Sequence, residues 1–151
     1  MKAPFLTALL LGFLLIPPLD AKDSRPPNII LILADDLGFQ DLGIQGAPDV
    51  ATPHLDSLAA NGVSCTNAYI TAPVCSPSRA GLLTGKYQNR FGFEFLVNET
   101  SIIKEGKTNG LPAGETTLAT RLKSAGYITG CIGKWHLGSE EESFPTRRGF
   151  D

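Results

Sequence analysis

Charge is scarce in this chain. Only 19% of its 151 residues are Asp, Glu, Lys or Arg, and the formal net charge is −2. Lys and Arg nowhere cluster: Arg147-Arg148 is the single adjacent basic pair. A nucleic-acid-binding surface and a polybasic membrane patch are therefore excluded as leading readings. Cysteine is scarce too, with three in all, an odd number that leaves at least one thiol outside any disulfide framework. No apolar run reaches the roughly 20 residues that a helix needs to cross a bilayer. Internal repeats and low-complexity tracts are absent, which excludes solenoids and biased linkers. What is there, 42% hydrophobic residues in a chain of one-domain length, is a globular composition.

The first residues stand apart. Met1-Lys2 gives a short basic start, Phe5 to Ile16 is apolar apart from Thr7, and Pro17-Pro18 closes the run. A secretory signal peptide over residues 1–21 is expected, with Ala21 at the cleavage position although Leu19 departs from the usual small residue. Secretion or a periplasmic location follows from that expectation, without stable membrane insertion. No Cys follows the run, so an N-terminal lipid anchor is not indicated.

Residues 22–151 then read as one α/β unit. Asn28 to Ala34 is continuous, β-branched and without alternation, which predicts a strand covered on both faces of a parallel sheet. Thr52-Pro53 predicts a helix start, Leu55, Leu58 and Ala59 have helical spacing, and Gly62 stops it. Val63 to Ile70 is strand-like, and a second short helix runs to Thr84 with Gly85 behind it. Tyr87 to Leu111 has weak periodicity and reads as a long excursion around a site entrance. Thr116 or Thr117 caps a helix through Leu118, Ala119, Leu122 and Ala125, with Gly126 just past its end. Tyr127 to Ile132 predicts another buried strand. Alternating strands and helices imply a largely parallel sheet.

Three polar clusters fall at the ends of these elements. Asp35 and Asp36 follow the first strand, and two adjacent carboxylates repel unless a cation neutralises them, a task suited to a hard divalent ion. Cys75 opens a helix whose N-terminal N–H groups favour an anion, and Arg79 lies one turn on. Lys134 and His136 are two residues apart, hence on one side of an extended segment. In an open α/β sheet such strand ends converge on one cleft. Taken alone, the Asp pair also fits a solvated turn, Cys75 a half-buried thiol, and Lys134 and His136 ordinary surface residues.

Two stretches carry a family resemblance. Cys75-Ser76-Pro77-Ser78-Arg79, continuing to Leu83-Thr84-Gly85, resembles the sulfatase signature at every fixed position. Gly133-Lys134-Trp135-His136-Leu137-Gly138 resembles the second sulfatase motif, and Asp35 to Gly43 is similar to the stretch after the family's first strand. The resemblance covers nearly all of residues 27–151. It implies an alkaline-phosphatase-like α/β fold, a largely parallel sheet with helices on both faces, incomplete in this chain. It also implies that Cys75 is oxidised by a formylglycine-generating enzyme to formylglycine, whose hydrate attacks the sulfate ester. Asp35, Asp36 and the modified Cys75 then become Ca²⁺ ligands, and Arg79 and Lys134 face the sulfate. His136 becomes the base that acts on the formylglycine hydroxyl. The substrate implied is a sulfated small molecule or glycan.

Family members take a further Asp, Asn, His and Lys from later in the domain, so the resemblance marks this chain as the N-terminal portion of a longer enzyme, inactive by itself. A phosphonate or phosphodiester hydrolase of the same superfamily and a non-catalytic fragment remain open alternatives. His54 reads as a surface helix residue, Asp41 as structural and Trp135 as packing; Tyr87, Arg90 and Phe91 lie near the entrance without an assigned role. Cys65 and Cys131 either pair in an oxidising compartment or stay as two buried thiols. Asn98-Glu99-Thr100 is a glycosylation sequon.

Overall fold

The computed structural model describes residues 25–97 and 110–151. The signal peptide expected over residues 1–21 and the sequon at Asn98 lie outside the described residues. Two units are distinguished, one ending at Ala34 and one comprising Asp35–Asp151. In the first, residues 25–34 are extended, and Ile29 through Leu33 are all exposed.

The second unit carries three helices: α1 (Pro53–Asn61), α2 (Cys75–Thr84) and α3 (Leu118–Ser124). Each starts and stops on a local signal. Pro53 supplies a preset φ at the first position of α1. Thr52 precedes it as expected but does not cap it. Its hydroxyl instead accepts from Gly43 N at 2.8 Å and donates to Asp56 Oδ1 at 2.9 Å, fastening the short 3-10 turn Gly43–Gln45 to α1. Thr117 does cap α3, accepting from Thr120 N at 3.1 Å. Helix α2 ends where Gly85 turns left-handed, φ 66°, and its N–H returns to Gly81 O at 2.9 Å.

The core lies between α2 and the segments on either side of residues 98–109. Ala80 of α2, Phe93, Val97, Leu111 and Leu137 form a buried cluster, with Leu83, Phe91, Phe95 and Trp135 packed on it. Burying a side chain such as Phe93 or Leu137 contributes about 1.5–3 kcal/mol. Phe93 and Phe95 stack at 5.0 Å, and Trp135 meets Phe150 edge-on at 6.0 Å while donating to Ser143 O at 2.8 Å. The packing role expected of Trp135 is thus met, and the backbone pair Leu111 N to Leu137 O, 2.8 Å, holds the second motif against this core.

Arg148 is the core's polar anchor. It is 5% exposed, and its guanidinium donates to Pro112 O (2.6 Å), Ala113 O (3.1 Å) and Glu115 O (3.0 Å). Burial lowers its pKa from the ordinary value, and the Glu115 charge opposes that. Its own carbonyl accepts from Thr117 Oγ1 at 2.6 Å. The following Gly149 has φ 102°, and a Cβ there would stand 2.6 Å from Thr120 Oγ1, so no other residue fits that approach to α3.

The expected sheet is not seen among the described residues. Among the described residues, 28–34 and 127–132 lie outside any helix, 63–70 turns at Thr66-Asn67, and none of the three forms a ladder. A strand exists only where a neighbouring backbone donates and accepts across it, and no described segment stands in that place. Ile30, Val63, Tyr69, Ile128 and Ile132 are accordingly 84–102% exposed. Cys65 and Cys131 are free and exposed, which overturns both the disulfide and the buried-thiol expectation here. The cause is the same: the runs that hold them are uncovered.

The carboxylate of Asp151 ties the end of the 127–132 segment to α3. It accepts from Thr129 N at 2.8 Å and pairs with Lys123. Lys123 first and then Thr129 hold its pKa down to about 2. Its folded pKa lies below its unfolded one, so its contribution is full above the ordinary carboxylate range and lost as pH falls through about 2. Asp151→Asn is therefore expected to lower thermal stability at neutral pH, with the difference from the parent vanishing in strong acid. A difference that persists there would show that charge is not the cause.

Candidate active site

Four of the residues singled out in the sequence meet around the first turn of α2. Cys75 is the first residue of that helix, half-buried, and no side chain caps the turn. Its Sγ lies 3.2 Å from His136 Nδ1. On the other ring nitrogen, Nε2 stands 2.7 Å from Val97 O. A carbonyl oxygen only accepts, so Nε2 carries the proton, and in the neutral ring the Nδ1 lone pair points at Cys75.

Arg79, one turn further on, reaches back across the site. Its guanidinium donates to Lys134 O at 2.7 Å and to Asp35 Oδ1 at 3.1 Å. Lys134 Nζ donates to the other oxygen, Oδ2, at 2.7 Å. Asp35 thus holds a cation on each carboxylate oxygen. The hydrogen bond from Lys134 and then that from Arg79 pull its pKa below the ordinary value. The same Asp35 contact raises the pKa of Lys134, and the Cys75 side chain adds to it. Both Asp35 and Lys134 are open to solvent, so this pairing orders the site more than it stabilises the fold.

Among the described residues, the only non-glycine residues with positive φ are Asp36 and His136, both at 58°. Backbone in that region costs on the order of 1–3 kcal/mol and is held only where its surroundings enforce it. Here His136 falls in the polar cluster and Asp36 follows Asp35 directly in the chain.

The structure does not bring everything together. Asp36 is exposed, adjacent to Asp35 in the chain, and its carboxylate makes no hydrogen bond to the cluster. His54 is exposed on α1, as expected. Tyr87 and Arg90 are exposed, and Phe91 packs on the core instead of the site. Asp41 accepts from Gly38 N at 2.5 Å, a structural role in the turn after Asp35-Asp36. Sequence reasoning missed Val97, whose contribution is a backbone carbonyl and leaves no trace in residue type. It also passed over Arg148, an Arg beside another Arg near a Gly, with nothing to mark it as buried.

For a divalent ion the donor chemistry is right in kind and short in number. Two neighbouring carboxylates suit Ca²⁺, which takes six to eight oxygens at about 2.3–2.6 Å. Among the described residues, however, no three His, Cys, Asp or Glu side chains are grouped to hold a metal. Arg79 and Lys134 do the neutralising that the sequence assigned to a metal.

Comparison with known proteins agrees with the motifs. The family model described as Sulfatase matches residues 27–151. The steryl-sulfatase of Mus musculus is 46% identical over 133 residues, covering 84% of this chain and 21% of that protein. Arylsulfatase A of Homo sapiens is 46% identical over 129 residues, covering 84% and 24%. The crystal structure of Ps i-CgsB is similar with a TM-score of 0.75 at 42% identity, over 84% of this chain and 27% of that one. A second structure of that protein, in complex with k-i-k-neocarrahexaose, gives 0.76 at 41%. These likenesses carry the α/β, alkaline-phosphatase-like fold. The chain spans about a quarter of the length of the relatives it matches.

Proposed function

We propose, from the premise that this chain belongs to the sulfatase family, that it provides the nucleophile side of a site that hydrolyses sulfate esters. The observation that carries this is the meeting of Cys75, His136, Arg79 and Lys134 at one helix N-terminus. In this reading Cys75 is oxidised to formylglycine, and its Sγ marks where the hydroxyl oxygens of the aldehyde hydrate stand. Formylglycine hydrate there would supply a hydroxyl nucleophile toward sulfur and a second hydroxyl through which sulfate could leave and the aldehyde return.

The chain's own residues do the rest. His136 Nδ1 faces position 75 with its lone pair, so it is placed to take the proton there. Lys134 and Arg79 bring two positive charges to the same turn. A sulfuryl group spreads negative charge over several oxygens in the transition state, and fixed cations lower that barrier. The uncapped N–H groups of α2 add to the field.

Asp35, Asp36 and the oxygen at position 75 are the groups proposed to hold Ca²⁺, with further oxygens from outside the described residues. Bound there, it would add positive charge against the sulfate oxygens. In a polypeptide that extends this chain with the remainder of a sulfatase domain, Asp35→Ala or Asp36→Ala is expected to weaken Ca²⁺ binding by roughly tenfold or more. Calorimetric titration measures this, and chelation should lower turnover in parallel. Binding and activity untouched by both substitutions would place the metal elsewhere.

The relatives bear the names of steryl, aryl and N-acetylgalactosamine-6 sulfatases, and one solved neighbour holds a neocarrahexaose. Their shared chemistry is the sulfate ester, on a sulfated small molecule or glycan, and that class is proposed for this chain. A formylglycine-generating enzyme is the proposed maturation partner, and secretion the proposed route. No helix among the described residues is long and apolar enough to cross a membrane.

The direct test is modification of Cys75. Coexpression with a formylglycine-generating enzyme is expected to replace the thiol by an aldehyde, read as a mass change in the peptide carrying residue 75 and as reaction with a hydrazide probe. A peptide that keeps its thiol under those conditions would remove the mechanism.

A further inference from the structure

Resting on the sulfatase reading of the site, we infer that Ser76 is a positioning residue for His136. Ser76 directly follows Cys75 in the chain and its side chain makes no bond to Cys75 or His136. It is nonetheless fully buried, with 0% of its surface exposed. Its Oγ accepts a hydrogen bond from Val97 N at 3.1 Å. Val97, itself buried, turns its carbonyl to His136 Nε2 at 2.7 Å. The other side of the ring reaches Cys75 Sγ at 3.2 Å. The path therefore closes on itself: Cys75, its neighbour Ser76, the backbone of Val97, the imidazole of His136, and Cys75 again.

The physical consequence concerns the ring proton. A neutral imidazole carries one N–H, and the nitrogen that bears it is set by the hydrogen bond available to it. Val97 O can only accept, so it keeps the proton on Nε2 and leaves the Nδ1 lone pair on the side of residue 75. That holds only while the carbonyl stays within hydrogen-bond reach of the ring. Val97 lies outside any helix, so no regular ladder fixes its backbone. The Ser76 hydroxyl supplies that fixed point. It does so from the first turn of α2, which also carries Cys75, so nucleophile and base are referenced to one rigid element. The backbone of His136 needs such support, since its φ of 58° is one that residues other than glycine rarely adopt.

The experiment is nitrogen NMR on the full 151-residue chain labelled at histidine. Only two histidines are present, and His54, exposed on α1, serves as the internal reference for an unconstrained ring. In the neutral state, His136 of the parent chain is expected to show a single tautomer protonated at Nε2, while His54 shows the averaged pair. Ser76→Ala should shift His136 toward the His54 pattern. Ser76→Thr, which restores the hydroxyl, should return it. A parent chain with His136 protonated at Nδ1 overturns the inference without any variant. So does a Ser76→Ala chain of native spectral dispersion in which the His136 signals are unchanged. If Ser76→Ala fails to fold, Ser76→Cys takes its place, close in size but a weak acceptor, and unchanged His136 signals there overturn it equally. Aldehyde content at position 75 is scored in the same samples by peptide mass. Its absence from chain coexpressed with a formylglycine-generating enzyme counts against the sulfatase chemistry, whereas the ring-proton signals decide on Ser76 with or without it.

Discussion

The 151-residue chain with its aldehyde installed is expected to turn over an aryl sulfate at least about 10²-fold more slowly than arylsulfatase A for each charged or acid–base group it does not supply. On the reading proposed above it supplies one base at His136, two cations at Arg79 and Lys134, and two carboxylates at Asp35 and Asp36. The carboxylates fall short of a Ca²⁺ shell, and no third ligand side chain stands near them among the described residues. The two cations are occupied by Asp35, so a sulfate ester arriving at this site competes with a carboxylate already in place. The packing points the same way. The runs around Ile30, Val63 and Ile128 expose large apolar side chains, at 84%, 90% and 92%, and uncovered runs of that kind neither stiffen a site nor resist association. Steady-state assay of the aldehyde form, alongside thermal unfolding, checks this. Turnover near that of arylsulfatase A with one sharp unfolding transition would show that the chain is self-sufficient.

Arg148→Met is expected to destabilise the chain by about 3–5 kcal/mol, a large part of the 5–15 kcal/mol that holds an ordinary domain folded. The side chain is buried and donates to three carbonyls of the 112–115 loop, 2.6 to 3.1 Å away. Removing it takes the guanidinium from the carbonyls of Ala113 and Glu115, while Pro112 O keeps Glu115 N at 3.0 Å, and each buried unsatisfied group costs about 1–3 kcal/mol. The damage would spread toward the site, since Glu115 of that loop pairs with Lys86 at 2.7 Å, just past the end of α2. Arg148→Lys should rescue little, because an ammonium cannot span three carbonyls as the planar guanidinium does. Urea unfolding of the three chains gives the comparison. A loss for Arg148→Met within about 1 kcal/mol of a surface substitution would mean that water replaces the guanidinium at no cost.

Where chain chemistry is local, the sequence was readable. Thr117 before Leu118 and Gly126 after Ala125 marked α3, because cap and left-handed stop are both set within a few residues. The same held for Cys75 to Gly85. Thr52 shows the limit: its place before a helix was legible, but its hydroxyl bonds Gly43 N, nine residues back, and Asp56. Strands meet a related limit. The run 127–132 has the composition of a buried strand, yet composition cannot provide the backbone that must lie beside it. In the site, Asp35, Arg79, Lys134 and His136 were legible as types that bear charge or protons. Their pairing was not: two acids were expected to need a metal, and nothing in the sequence pointed to Arg79 and Lys134 as partners of Asp35. Val97 and the buried state of Arg148 had no signal at all.

The two left-handed residues at Asp36 and His136 set stability and chemistry against each other. Backbone terms alone favour glycine at both positions, by roughly 1–2 kcal/mol each. Selection or design aimed only at a higher melting temperature would therefore drift toward glycine at residue 136 and, with it, toward a firmer loop without a base. A histidine kept in that conformation is a standing concession of robustness to reactivity. By that measure residue 136, more than any position in the apolar core, records what this chain has been shaped to do.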